Sequence, residues 1–162
     1  METRGLIQVR QGKRPVVNGL DATMPGDFFH ASEDGLRAMQ ETIDTMTAKS
    51  KARADDPIGF NDAEFHQRLA AASGNRLMRL LVEALKDPLR ASRIASRQGR
   101  FACGLDDTGP ITAHQEILDK VAAKDPEGAA RAMELHLEEA LEDLLAARRS
   151  SGAAGAEGGG TT

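Results

Sequence analysis

Four side chains in this sequence have the types and placement to hold a metal ion: Asp62, His66, His114 and His136. Asp62 and His66 stand four residues apart, which on a helix puts both on one face with Cβ atoms about 5–6 Å apart. Two donors on one rigid element can clamp a single ion. His114 and His136 sit among apolar residues that recur at helical spacing, Ile111, Ile117, Leu118 and Val121 around the first, Ala132, Met133, Leu137 and Ala140 around the second. Both rings are therefore expected to point inward. Three imidazole nitrogens and a carboxylate oxygen suit a borderline divalent ion such as Zn²⁺, Ni²⁺, Mn²⁺ or Fe²⁺. Each signal also has a plain explanation. D-x-x-x-H arises by chance, and a histidine on an apolar face is more often a hydrogen-bonded core residue than a ligand. Three of the chain's four histidines on inward faces bring the two readings level.

The elements that must carry these residues are helical. Ser32 can cap a helix over about 33–52, with Glu33 and Asp34 in its first turn and Leu36, Met39, Ile43 and Met46 along one face. Asp56-Pro57-Ile58-Gly59 breaks it, and Asn61 opens a second helix through His66 and Leu69 to about Ala72. Ser73-Gly74 stops that helix, and Asn75 caps a third bearing Leu77, Leu80, Leu81 and Leu85. Pro88 marks a kink or a fresh start before an Arg-rich stretch to about Phe101. After the loop Asp106–Pro110, a short helix runs from Ile111 to near Lys124, and Asp125-Pro126 starts the last one, about 126–149. Residues 5–17 carry two short β-prone runs around a Gly-containing loop and read as a small hairpin. Residues 18–31 read as a linker, and 150–162 as a low-complexity, disordered tail.

Composition supports the same class. The chain has 162 residues, 40% apolar and 28% charged, and only 3% aromatic with no Trp or Tyr. Leu and Ala must build the core, and both favour helix. A formal charge of −4 makes the whole chain a poor wrapper of nucleic acid. No apolar run approaches the roughly 20 residues that cross a bilayer. The lone Cys103 forms no internal disulfide and fits a reducing compartment, so a cytoplasmic location is expected.

Two blocks carry a family resemblance. Asp62 to Leu77, D-A-E-F-H-Q-R-L-A-A-A-S-G-N-R-L, resembles the D-x-x-F-H…A-S-G-N-x-x-L signature of the FCD domain of GntR-type transcription regulators, FadR subfamily. His114 to Leu137 resembles that family's H-x-x-I…D-x-x-x-A-x-x-x-M-x-x-H-L segment. The blocks stand in the family's order. The resemblance implies an all-α antiparallel helical bundle over 32–149, a ligand-sensing domain rather than an enzyme, and a homodimer. It implies that Asp62, His66, His114 and His136 hold one divalent metal, whose open positions take the carboxylate of a small organic-acid effector. Arg93 or Arg97 could pair with that carboxylate, although an Arg-rich helix is more often a solvated face.

The N-terminal G-L-I-Q-V-R-Q-G-K-R-P-V-V resembles the β-wing that ends a GntR-type winged helix, so residues 1–17 are expected to be a wing remnant. Lys13 and Arg14 alone give little affinity for DNA, which then requires a complete winged helix. The family's first effector-domain helix, R-x-x-L-E…A-A-x-L-A-A, has no counterpart between Asn18 and Ser32, and His30 matches no family ligand. Two rivals remain: a metal-dependent hydrolase, which would need a base such as Glu64 beside the ligands, and a metal-free helical dimerisation module.

Overall fold

A computed structural model describes residues 7–8, 16–17, 31–51 and 58–157. The described residues form five helices, α1 (Glu33–Lys51), α2 (Ile58–Ala72), α3 (Arg76–Ala102), α4 (Thr108–Ala122) and α5 (Pro126–Glu157). They also form a two-stranded antiparallel pair, β1 (Ile7–Gln8) and β2 (Val16–Val17), with Ile7 opposite Val17. The hairpin expected over 5–17 thus has its paired residues where the β-prone runs lie. The rest of the hairpin, the linker residues 18–30 with His30, and Asp56-Pro57 lie outside the described residues.

Local chemistry explains where several helices begin. Ser32 Oγ accepts the Gly35 N–H at 3.1 Å, Asn75 Oδ1 that of Met78 at 3.0 Å, and Asp125 Oδ1 that of Gly128 at 2.9 Å. Each satisfies a donor that a helix N-terminus would otherwise leave unpaired. Pro126 follows the last cap at a position where its missing N–H costs nothing. Gly74, at φ 67°, supplies the left-handed residue that ends α2.

Four boundaries differ from expectation. α2 starts at Ile58, so Asn61 lies within its first turn, and its amide faces Glu64 Oε2 at 3.5 Å instead of capping the helix. α4 starts at Thr108, three residues before Ile111. Pro88 neither breaks nor restarts α3, which runs through it. The carbonyl deprived of its donor, that of Ala84, lies on an exposed stretch where water can satisfy it. α5 continues to Glu157, past the boundary at 149 expected from composition; no proline interrupts it, and its alanines favour helix.

The helices assemble into a bundle in which α1 packs on α2 and α4, α4 on α5, and α3 on α2 and α5. Met39, Ile43 and Met46 of α1 meet Phe65, Ile117, Leu118, Val121, Ala129 and Ala132 in the core. The sparse aromatic content is spent with economy: Phe65 is fully buried at its centre. α3 and α5 approach closely at Gly99, where a Cβ would come within 2.0 Å of the Asp143 carbonyl oxygen and 2.7 Å of the Ala147 nitrogen. Next to it, buried Arg100 donates to Glu139 Oε1 at 2.6 Å, Asp143 Oδ2 at 3.0 Å and the Asp106 carbonyl at 2.9 Å. This contact fixes α3 against α5, and so Arg93 relative to His136. Among the described residues no helix is long and apolar enough to cross a membrane.

Candidate metal centre

Asp62, His66, His114 and His136 converge inside the bundle. One donor atom from each lies within 4.8 Å of the others. Asp62 and His66 come from α2, His114 from α4 and His136 from α5, so three helices meet at one point. The imidazole of His114 lies with its centroid 4.4 Å from that of His136 and 5.3 Å from that of His66. Phe65 packs edge-on behind His66 and His114, at 5.6 and 4.7 Å between ring centres, and restricts how both rings can turn.

The protonation state follows from the surroundings. Burial pushes His114 down to about 3 and His136 to about 4, with neighbouring imidazoles adding to the shift and Asp62 opposing it. Burial likewise lowers His66, again against Asp62 and with help from the Arg93 guanidinium. All three rings are neutral near pH 7 and carry a lone pair. For His114 the tautomer is set as well. Its Nδ1 lies 2.7 Å from the Pro110 carbonyl oxygen, an acceptor, so Nδ1 carries the proton and Nε2 is bare.

Those bare atoms find no hydrogen-bond partner among the described residues. His114 Nε2 and Asp62 Oδ1 are both buried without a hydrogen bond, and they face each other at 3.4 Å. Two acceptors placed so would be costly in a core packed for stability alone. The separation matches two ligands held about 2.0–2.2 Å from a shared ion. His66 Nε2 adds a third donor 3.9 Å from Asp62 Oδ2. The residues present therefore fit a divalent ion with N and O ligands.

Arg93 completes the cluster. It is 5% exposed, its Nε lies 3.4 Å from Asp62 Oδ1, and its Nη1 donates to Ser96 Oγ at 3.3 Å. Its Nε and Nη2 make no hydrogen bond. Arg97, the other candidate for an effector carboxylate, is engaged elsewhere: its Nε reaches both oxygens of Asp107 at 3.0 Å, and its guanidinium lies over the Phe101 ring. The Arg-rich stretch is thus no solvated face, since Arg93 and Arg100 are both buried. Glu64, the base a hydrolase would need, is held by Arg68 on the same helix at 2.6 Å and is not among the residues whose donor atoms converge. Sequence reasoning assigned no role to Pro110 or Phe65. The proline falls in a segment whose sequence suits a loop, and nothing in the chain marks its carbonyl as the partner of a ring four residues on.

Comparison with known proteins places the fold. The family model for the FCD domain matches residues 28–139. Among solved structures, a GntR protein of Streptococcus agalactiae is similar in fold, with a TM-score of 0.50 and 18% identity over 90% of this chain and 75% of that one. A search of curated proteins found no match. The chain belongs to the FCD domain family, the helical, non-enzymatic effector-binding domains of GntR-type transcription regulators.

Proposed function

We propose that the domain is a metal-dependent sensor for a carboxylate. Asp62, His66, His114 and His136 hold one divalent ion, and Arg93 meets the acid beside it. The observation that carries this reading is the convergence of four donor atoms within 4.8 Å of one another, with His114 Nε2 and Asp62 Oδ1 buried and without a hydrogen bond and Arg93 Nε and Nη2 likewise beside them. Charge supports the same assignment. Asp62 and Arg93 cancel and the imidazoles are neutral, so a divalent ion leaves the pocket net positive and ready for an anion. When bound, the metal supplies a Lewis-acidic anchor for a carboxylate oxygen. Arg93 orients the acid through Nη2 while its Nε stays beside Asp62, Pro110 holds the His114 tautomer, and Phe65 keeps the rings in place.

Because the ligands come from α2, α4 and α5, and Arg93 from α3, occupancy draws four helices toward one point. That movement would bias how two copies pack, and so the spacing of winged helices wherever complete ones are supplied. A homodimer is supported by Leu77, Leu80 and Leu81 on α3, which are 43, 54 and 50% exposed. Cytoplasmic residence fits a regulator and the free thiol of Cys103. Elemental analysis after gentle purification tests the reading: about one ion per chain is expected, and under about half an equivalent would favour a metal-free dimerisation module.

A further inference from the structure

Resting on that carboxylate-sensing reading, we infer that the effector is an amphipathic acid, its head at Arg93 and the histidine cluster and its hydrocarbon body in an apolar groove opening off His66. The groove has a volume of about 530 Å³, within the range that ligand sites occupy. Among the described residues, no Asp, Glu, Lys or Arg lines it. Among the described residues its polar side chains are His66 and Ser73, and the Ser73 hydroxyl is already given to the Ala70 carbonyl at 2.7 Å.

The groove and the cluster are continuous along every helix that builds them. On α3, Leu85, Leu89 and Arg93 follow at intervals of four residues and form one stripe, with about 12 Å of rise from the first to the last. On α4, Val121 and Ile117 line the groove and His114 is the next inward residue. On α5, Met133 precedes His136 by one turn, and on α2, Leu69 follows His66 by one. Each helix therefore gives a polar group to the head site and apolar side chains to the wall beside it.

This arrangement selects by chemistry. A hydrocarbon body gains affinity by covering Leu85 and Met78, which stand 41% and 45% exposed along the groove. A hydroxy acid or dicarboxylate would bring further polar groups against Leu, Val and Met with no partner, at a loss of about tenfold or more in affinity for each. The acid favoured is one with a single polar end.

Calorimetric titration of the metal-loaded full chain with acetate, butyrate, hexanoate and octanoate tests this, with succinate and tartrate as polar controls. Kd is expected to fall by up to about fourfold per added methylene. The double variant Met78→Gln, Leu85→Gln alters two exposed positions and should flatten that series while leaving metal content and acetate affinity unchanged. Acetate binding together with a flat series, or succinate binding more tightly than octanoate, would overturn the amphipathic effector and leave the carboxylate sensor standing. A flat series is also what a groove covered by another part of this chain or by a second copy would give. Octanoate affinity undiminished in the double variant would remove the groove from the site. Loss of all binding, acetate included, would bring down both readings together.

Discussion

Replacing His114 by Phe separates a residue kept for binding from one kept for stability. In the protein without metal, His114 is fully buried and its Nε2 lacks a partner, a deficit of about 1–3 kcal/mol. Phenylalanine has a similar size, removes that acceptor and can still pack against Phe65 and His136. Its cost is the Nδ1–H bond to Pro110, a neutral hydrogen bond worth about 1 kcal/mol. The two terms nearly cancel, so the metal-free variant should melt close to the parent or slightly above it. With metal the two proteins diverge. At a metal concentration a hundred times Kd, the parent gains about 2.7 kcal/mol. At about 2–4 °C per kcal/mol, that gain is a rise in Tm of about 5–11 °C. Losing even an outer-shell partner of a metal ligand costs up to about a hundredfold in metal affinity. A ligand lost outright costs at least that much, so at the same concentration the variant gains only about 0.4 kcal/mol, a shift of about 1 °C. Thermal melts of chelator-treated protein, with and without Zn²⁺, Ni²⁺, Mn²⁺ or Fe²⁺, read both quantities. Equal metal-induced shifts in the two proteins would refute His114 as a ligand. A metal-free variant melting far below the parent would refute the claim that Nε2 is an unmet acceptor.

Other outcomes follow from the same geometry. Arg93→Met should keep metal binding but weaken acetate binding by about tenfold or more, since a hydrogen bond to a charged group is worth about 1.5–3 kcal/mol; unchanged acetate affinity would remove Arg93 from the site. Lowering the pH should destabilise the metal-free protein. The folded imidazoles titrate below the ordinary histidine value of 6.5, to about 3 for His114 and about 4 for His136, so the unfolded chain takes up protons first. Their contribution is complete above about pH 6.5 and is lost progressively as pH falls through about 4 toward 3. Denaturant titrations between pH 7.5 and 4.5 should show that slope, and His114→Phe should reduce it; identical slopes in both proteins would contradict the burial argument. Gly99→Ala should cost about 3 kcal/mol or more, because its Cβ would collide with backbone atoms of α5 that cannot step aside without parting the helices. A melting temperature equal to the parent's would show that α3 and α5 do not depend on this contact.

The helical class and the four donors were legible because both rest on periodicity. Asp62 and His66 share a face by spacing alone, and His114 and His136 fall in step with Ile117, Val121 and Met133. Caps at Ser32, Asn75 and Asp125 were legible because short polar side chains at helix starts have few other uses. Pairings between elements were not legible. Arg93 and Arg97 look alike in sequence, yet one faces Asp62 of α2 and the other Asp107 in the loop before α4, a choice made by tertiary packing rather than spacing. The close approach at Gly99 is equally silent, since a glycine within a helix ordinarily reads as a weak point. At Pro88 the fresh start does not occur: its local cost is real, but α3 runs on through it, packed on α2 and α5.

X-ray absorption spectroscopy on the Zn²⁺- or Ni²⁺-loaded protein tests most directly whether the four donors share one ion. The account predicts a shell of nitrogen and oxygen neighbours at about 2.0–2.2 Å, with outer-shell scattering from three imidazoles. A sulfur neighbour, or a shell of water oxygens with no imidazole behind it, would place the ion elsewhere and contradict the proposed centre.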